Sequence, residues 1–144
     1  MRIRTRAQLG SVPTKAGNWA KKEFPDSKSD LFAIFIERGI ELSSKNGFAA
    51  LVTMQSWMFL SSYEKLRSKL LDSVTIECMV HMANMVMGIA FGTSATVWHN
   101  KYKPNYRGAF CYVRYEDIGD DNIPLAFPPP NERNLNAKKQ QIKY

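Results

Sequence analysis

The feature that most constrains the fold is a run of seven residues, Phe48 to Met54, that is nearly all apolar and favours extended structure. Because polar and apolar side chains do not alternate in it, we expect a strand covered on both faces, as in a parallel sheet. The strand is followed at once by Gln55, Ser56 and Trp57. A polar pair and an indole at the end of a buried strand mark the first place to look for a site.

A helix is predicted before this strand, from Asp30 to Ser44, with Ser29 as its cap. Its apolar residues trace one broad face, and its polar side carries Glu37, Arg38 and Glu41. Gly47 is suited to the left-handed conformation that ends many helices, so we expect the helix to terminate there.

A second helix is predicted after the strand. Ser61 and Glu64 have the spacing of a capping box, and Asp72 and Ser73 end the apolar stripe. A second apolar strand, Val74 to Met82, follows. The order helix, strand, helix, strand indicates an α/β fold, with the two strands joined by a right-handed parallel crossover.

Beyond Met82 the pattern changes. Two strands are predicted, Thr93 to His99 and Ala109 to Tyr115, and the short loop between them favours an antiparallel pair. Three consecutive prolines, Pro128 to Pro130, form a stiff extended spacer. The segment 131–144 is interpreted as a linker or as a helix awaiting a partner.

The net charge of +7 is concentrated at the two ends of the chain. Residues 1–28 carry seven basic and two acidic side chains, and residues 131–144 carry four basic and one acidic. Such ends are either contacts for nucleic-acid phosphates or solvated tails, and charge alone favours neither.

Several classes of protein are disfavoured by the sequence. No apolar run approaches the ~18 residues of a membrane span, and the basic N-terminus has no apolar core of a secretory signal. Cys78 and Cys111 lie in apolar runs, so we expect reduced core cysteines in a cytoplasmic protein. His81 and His99 are isolated from other ligand residues, so no zinc site is expected.

Candidate site residues follow from these positions. Ligands of open α/β sheets bind at the carboxyl ends of the strands, where Gln55, Ser56 and Trp57 are expected. The alternative is that Gln55 and Ser56 start the next helix and that Trp57 plugs the sheet. A basic segment further along, with Lys101, Lys103 and Arg107, is a candidate for contacts to a DNA backbone, against the alternative of a solvated loop.

One long stretch carries a resemblance to a known family. The run PDSKSDLFAIFIERGIELSSKNGFAALVTMQSWMFLSSYEKLRSKLL resembles the adenine-specific DNA methyltransferases of BREX-type phage-defence and restriction-modification systems. The segment MANMVMGIAFGTSATVWHN and the later NERN extend the resemblance from about residue 18 onward. Residues 25–115 match, in order, the second half of a Rossmann-like class I methyltransferase sheet: helix, strand, helix, strand and an antiparallel seventh strand.

The resemblance implies a function. It implies transfer of a methyl group from S-adenosylmethionine to the amino group of an adenine that has left the DNA stack. Gln55, Ser56 and Trp57 would line the cleft beside the cofactor and the base. Phe91 best fits the aromatic residue that packs on the extruded base in related enzymes, although a core phenylalanine before a strand would look the same.

The sequence also departs from the family. The catalytic Asn-Pro-Pro-Tyr is expected shortly before residue 24, and nothing like it occurs there; no Gly-x-Gly of a cofactor-binding turn occurs anywhere. We therefore interpret residues 1–17 as an unmatched basic leader, 18–115 as the C-terminal half of a methyltransferase catalytic domain and 116–144 as a linker and basic tail. No catalytic residue is assigned, and whether the chain is itself an enzyme is left open.

Two hypotheses result. In the first, the chain is part of an adenine-specific DNA methyltransferase, inactive alone and unable to bind S-adenosylmethionine alone. In the second, it is a non-catalytic basic module that binds DNA or a protein. Half of a parallel sheet exposes an edge and apolar faces, so we expect a homo-oligomer or a complementing methyltransferase half as partner, and no membrane.

Overall fold

The computed structural model describes residues 15–125 and 134–137. The basic leader up to residue 14, Pro128 to Pro130 and most of the basic tail lie outside these residues. The described residues form three α-helices, α1 (Lys15–Glu23), α2 (Leu31–Leu42) and α3 (Glu64–Ser73). The strands are β1 (Phe48–Met54), β2 (Thr75–Met82), β3 (Thr93–His99), β4 (Arg107–Val113) and β5 (Asn134–Ala137). Two strands, β1 and β3, begin and end at the predicted residues, whereas α1 was not anticipated.

The strands form one mixed sheet in the order β1-β3-β2-β4-β5. Strand β3 lies between β1 and β2 and is antiparallel to both, so β1 and β2 point the same way without touching. Strand β4 is parallel to β2, and β5 is antiparallel to β4. The α/β fold and the antiparallel strand implied by the resemblance are confirmed.

The predicted pairing of the last two strands is wrong. β3 and β4 are not neighbours, because β2 lies between them. The connection after β3 crosses the start of β2, where Thr75 holds it: the Thr75 hydroxyl donates to the carbonyl of Lys101 (2.7 Å) and accepts from the backbone N–H of Lys103 (2.9 Å). A short loop alone therefore did not determine the pairing.

The last strand corrects a second expectation. Residues 134–137 lie inside the segment interpreted as a linker or helix, yet they form β5 beside β4. A strand that adds to an existing edge gains its hydrogen bonds from that edge, which the local sequence does not encode.

The main core lies between one face of the sheet and the helices α2 and α3. Its largest members, Trp57 and Trp98, are almost completely buried, and their rings pack 5.2 Å apart. Ala49 and Leu51 of β1 pack against this core. Complete burial of one such side chain contributes about 1.5–3 kcal/mol.

The opposite face of β1 is open, so the expectation of a strand covered on both faces is wrong. Phe48 is 61% exposed and Val52 is 60% exposed. The apolar sequence of β1 therefore does not mean that the described residues cover both of its faces. Cys78 is exposed and Cys111 half-buried, so the expectation of core cysteines is also wrong.

The helix ends differ from prediction. Asp30, not Ser29, is the N-terminal cap of α2, and it makes no side-chain capping bond. Asn46, with φ of 63°, takes the left-handed conformation predicted for Gly47. Gly47 has a different role, since a Cβ there would lie 2.5 Å from the Ser44 hydroxyl. No capping box forms at Ser61, which starts a 3-10 turn before α3.

A buried carboxylate joins α2 to α3. Glu37 is 5% exposed; it accepts a hydrogen bond from the Ser27 hydroxyl (2.5 Å) and forms an ion pair with Lys69. The hydrogen bond to Glu37 raises the pKa of Lys69 above its usual range. Glu37 was expected on the polar side of α2, but α3 covers that side.

Candidate functional site

An open cleft of about 600 Å³ lies at one edge of the sheet. It is lined by Gln55, Ala83, Asn84, Met85, Tyr112 and Tyr115. These residues come from the ends of three strands that point the same way, β1, β2 and β4. The carboxyl edge of such strands is where α/β proteins bind ligands, because the connecting loops diverge there and leave a crevice.

Gln55 is the predicted residue that lies in the cleft. It follows β1 directly and begins a 3-10 turn over Gln55–Met58. Its Oε1 lies 2.5 Å from Nε2 of His81, and its backbone N–H donates to the carbonyl of Gly92 (3.0 Å). The side chain is thereby held between the end of β2 and the start of β3.

Gly92 makes this arrangement possible. A Cβ on Gly92 would lie 2.4–2.5 Å from the carbon, oxygen and nitrogen of the Gln55 amide. Real Cβ atoms do not approach so closely, so the amide packs flat against a backbone position that only glycine allows.

His81 supports Gln55 from behind. Its ring packs 4.7 Å from the ring of Tyr112, a lining residue. Burial lowers the pKa of His81, which keeps the imidazole neutral near pH 7. Since the Gln55 oxygen can only accept, Nε2 of His81 carries the hydrogen in this contact.

The loop between β2 and β3 forms one rim of the cleft. The Asn84 Oδ1 accepts a hydrogen bond from the backbone N–H of Gly92 (2.7 Å), which closes the loop. Met85 and Met87 within it have φ of 70° and 58°, a conformation uncommon for side chains of this size. Backbone bonds hold it, including Met87 N–H to the carbonyl of Asn122 (2.6 Å).

The other predicted cleft residues are placed differently. Trp57 is completely buried, and its Nε1 donates to the Ser94 hydroxyl (3.0 Å), so its ring offers no surface to a ligand. The alternative interpretation, in which Trp57 plugs the sheet, describes its position. Ser56 is half-buried and does not line the cleft. Phe91 is 51% exposed beside Gly92, and its packing on a base stays a prediction.

The polar and aromatic site residues that sequence reasoning missed are His81, Asn84, Tyr112 and Tyr115. His81 and Asn84 flank the end of the predicted second strand, so the rule that located Gln55 also pointed to them. The two tyrosines belong to β4 and the turn after it, and their presence depends on β4 lying parallel to β2. That pairing had been predicted incorrectly.

The basic candidates lie at the opposite edge of the sheet. Lys101, Lys103 and Arg107 follow the end of β3 or begin β4, and seven residues of strand separate them from the cleft, about 20 Å. Lys103 is engaged, because its ammonium pairs with Glu77. Lys101 and Arg107 are exposed. The structure therefore does not bring the cleft and the basic candidates together.

Glu77 is the centre of this second edge. It accepts hydrogen bonds from Lys103, from the Tyr106 hydroxyl and from Nδ1 of His99 (2.8 Å). Burial opposes ionisation of Glu77, but these three donors outweigh it and hold its pKa below the usual range. The hydrogen bond to Glu77, with burial, raises the pKa of Tyr106 to about 12.

Comparison with known proteins identifies the family. The family of Eco57I restriction-modification methylases matches residues 7–86, more than half of the chain. The chain belongs to the Eco57I restriction-modification methylase family. The match includes part of the basic leader, and it ends beyond the last residue of β2.

Two relatives of this Eco57I-family chain carry functional names. It is 49% identical over 106 residues to the adenine-specific methyltransferase BrxX of Escherichia coli O9:H4 (strain HS), covering 72% of the chain and 8% of that protein. It is 42% identical over 73 residues to the adenine-specific methyltransferase PglX of Lacticaseibacillus casei (strain Zhang), covering 51% of the chain and 6% of that protein. The chain thus spans less than a tenth of the length of either relative.

The fold agrees with a solved class I enzyme. A putative class I S-adenosylmethionine-dependent methyltransferase from Listeria monocytogenes superposes with a TM-score of 0.51 at 15% identity, covering 59% of this chain and 27% of that one. This likeness confirms the class I methyltransferase fold. In residues 15–125 and 134–137 no helix is long and apolar enough to cross a membrane, and no His, Cys, Asp and Glu cluster is placed to hold a metal ion.

Proposed function

We propose that this chain forms part of the catalytic domain of an adenine-specific DNA methyltransferase of phage defence, and that it supplies the cleft for the target base. The observation that carries the proposal is the cleft itself. It lies at the carboxyl edge of β1, β2 and β4, in a chain whose relatives are adenine-specific methyltransferases. A cleft of about 600 Å³ has the size of sites that hold one small planar ligand.

We propose further that the chain alone neither binds S-adenosylmethionine nor methylates DNA. The fold class uses this cofactor, but a Gly-rich turn that brings backbone close to it is required, and no Gly-x-Gly occurs in the sequence. Gly92 packs against Gln55, a lining residue, and the space that its missing side chain leaves is filled by the Gln55 amide. The described residues therefore do not fit the cofactor.

A chimera tests the first proposal. The segment of E. coli BrxX that matches this chain is replaced by this chain's residues, and adenine methylation of genomic DNA is measured. We expect methylation to persist, because the replaced segment supplies the same cleft. Soluble, folded chimera that leaves adenine unmethylated overturns the proposal.

The second proposal is tested on the purified chain. Calorimetric titration with S-adenosylmethionine, with and without duplex DNA, is expected to show no binding, and radiolabelled methyl transfer is expected to be absent. Clear binding or transfer contradicts it and requires a cofactor pocket built in another way.

We propose a protein partner at the free edge of the sheet. β1 is paired on one side only among the described residues, and Phe48 and Val52 are exposed beside that edge. Phe35 and Leu42 of α2 are 58% and 70% exposed. Unpaired edges with apolar surroundings favour association, here with a second copy or a complementing methyltransferase segment. Light scattering that shows a stable monomer at high concentration counts against self-association.

DNA is the proposed nucleic-acid partner. Lys101 and Arg107 are exposed and carry charges suited to phosphates. Replacing both by glutamine is expected to weaken DNA binding and to reduce its salt dependence, without changing ligand binding in the distant cleft. If the salt dependence of DNA binding is unchanged in the double variant, residues other than Lys101 and Arg107 make the phosphate contacts.

A further inference from the structure

The two carboxamides of the cleft each have their oxygen in one hydrogen bond to the protein. The Gln55 Oε1 accepts from His81, and the Asn84 Oδ1 accepts from the backbone N–H of Gly92. In the part of the chain that the structure describes, neither amide nitrogen has a hydrogen-bond partner. Each –NH₂ group provides two donors and no acceptor.

The remaining lining residues do not reverse this pattern. Ala83 and Met85 present apolar side chains, and the hydroxyls of Tyr112 and Tyr115 can donate as well as accept. Among residues 15–125 and 134–137, no aspartate or glutamate lines the cleft. The two –NH₂ groups are therefore side-chain groups that can only donate and that have no partner among the described residues.

The orientation of Gln55 is fixed by its neighbours. Gly92 lies against the flat face of the amide, and His81 holds the oxygen end. With the hydrogen of His81 on Nε2, as in the present contact, the oxygen of Gln55 faces His81 and its –NH₂ group remains for a ligand. A flipped amide would require the other tautomer of the imidazole, so the tautomer of His81 sets which end of Gln55 remains.

We propose that Gln55 and Asn84 make this cleft a donor site that recognises the ring-nitrogen acceptors of a purine, with His81 as the positioning residue for Gln55. The inference rests on the proposed function for the presence of an adenine, and it adds how the base is read. A purine ring offers the acceptors N1, N3 and N7, and a donor-lined cleft distinguishes it from a ring that lacks one of them. The adenine amino group, itself a donor, is not what Gln55 and Asn84 recognise.

Ligand titration of the isotope-labelled full chain tests this inference. Adenosine is compared by NMR with 1-deaza-, 3-deaza- and 7-deazaadenosine, each lacking one ring acceptor, and with purine riboside, which lacks only the amino group. We expect adenosine to shift the side-chain –NH₂ signals of Gln55 and Asn84. At least one deaza analogue is expected to bind about three- to ten-fold more weakly, the effect of one lost hydrogen bond, and purine riboside to bind as well as adenosine.

The inference is overturned if all three deaza analogues bind with the same affinity as adenosine. It is also overturned if purine riboside binds much more weakly than adenosine. No adenosine binding at millimolar concentration overturns it too. None of these outcomes bears on methylation by the BrxX chimera, so failure of this inference is separable from failure of the proposed function.

Two variants identify the residues. Gln55→Glu keeps the shape and replaces the –NH₂ group by an acceptor, so adenosine affinity is expected to fall by about three- to ten-fold. His81→Phe keeps a ring beside Tyr112 but frees the Gln55 oxygen, so the difference between adenosine and the weakest deaza analogue is expected to shrink. A merely structural role for His81 would lower all affinities by the same factor. Unchanged analogue ratios in folded variants overturn the assigned roles.

Discussion

The indole nitrogen of Trp57 donates to the hydroxyl of Ser94, 3.0 Å away, in the interior of the sheet. This contact joins the turn after β1 to the start of β3, and both residues are completely buried. The Ser94 hydroxyl also lies 3.4 Å from the hydroxyl of Thr53. The residue that the sequence offered as a ligand platform is thereby fixed as an anchor of the fold.

Ser94→Ala is expected to lower the free energy of unfolding by about 1–3 kcal/mol, because a buried N–H is left without a partner. Urea denaturation followed by tryptophan fluorescence measures it. Ser68→Ala, at an exposed position on α3, serves as the control and is expected to leave the midpoint unchanged. If Ser94→Ala lowers the free energy of unfolding no more than the control does, water or another group accepts the hydrogen bond of Trp57 in place of Ser94.

Arg67→Lys is expected to destabilise the protein by about 1–3 kcal/mol. The buried Arg67 guanidinium donates to the carbonyls of Trp57 (3.0 Å) and Leu60 (2.6 Å), so it ties the turn after β1 to α3. Both bonds come from one nitrogen, Nη1, at the far end of the side chain; a lysine ammonium keeps the charge but sits on a shorter side chain, so we expect it to lose at least one of the two carbonyls. Thermal unfolding measures the loss, and a melting temperature equal to that of the unchanged protein would contradict this account.

Gly92→Ala is expected to displace the Gln55 amide and to break its contact with His81, at a cost of about 1–3 kcal/mol. Gly88→Ala in the same loop is the matched control. A Cβ there meets nothing within 4 Å, but the φ of 67° strains alanine by about 1 kcal/mol. Both variants are therefore less stable, and only Gly92→Ala is expected to move the imidazole NMR signals of His81. If the His81 signals move in both variants, the cause is a change in the whole loop and not the displacement of the Gln55 amide.

Glu77→Gln is expected to give a stability loss that depends on pH. The native pKa of Glu77 is lowered, so its charge stabilises the folded state above the unfolded value of about 4.5, and this contribution is lost as the pH falls through the lower folded value. The variant is therefore less stable than the unchanged protein at pH 7, by about 1–3 kcal/mol, and the difference shrinks below pH 4.5. Melting curves across pH 2–8 measure it. A difference independent of pH would mean that packing, not charge, is lost.

Local sequence patterns predicted where the strands begin and end better than they predicted which strands pair. The bounds of β1 and β3 follow from apolar runs ended by polar or turn residues, which are local properties. The neighbours of β3 follow from the whole sheet, and the loop after β3 is carried past β2 by Thr75, 26 residues from its contact at Lys101. The burial of Glu37 likewise depends on Lys69, 32 residues away.

The same division holds for the site. The position of Gln55 was predicted because the end of a strand is a local signal, and strand ends meet at one edge. Its partner His81 was judged isolated, since 26 residues separate the two and no spacing rule joins them. The sequence could not decide whether Trp57 is exposed or buried, because its neighbours along the chain are the same in either case and Ser94 lies 37 residues away.

The order of the sheet has a consequence for how the protein is made. β1 leaves the ribosome first, but its partner is β3, and β2 is also bordered only by strands that are synthesised after it. Neither strand can complete a backbone ladder until residue 99 has emerged, so β1 and β2 stay unpaired while the residues up to the end of β3 are synthesised. We therefore expect the sheet to assemble in one concerted step after β3 has emerged rather than strand by strand.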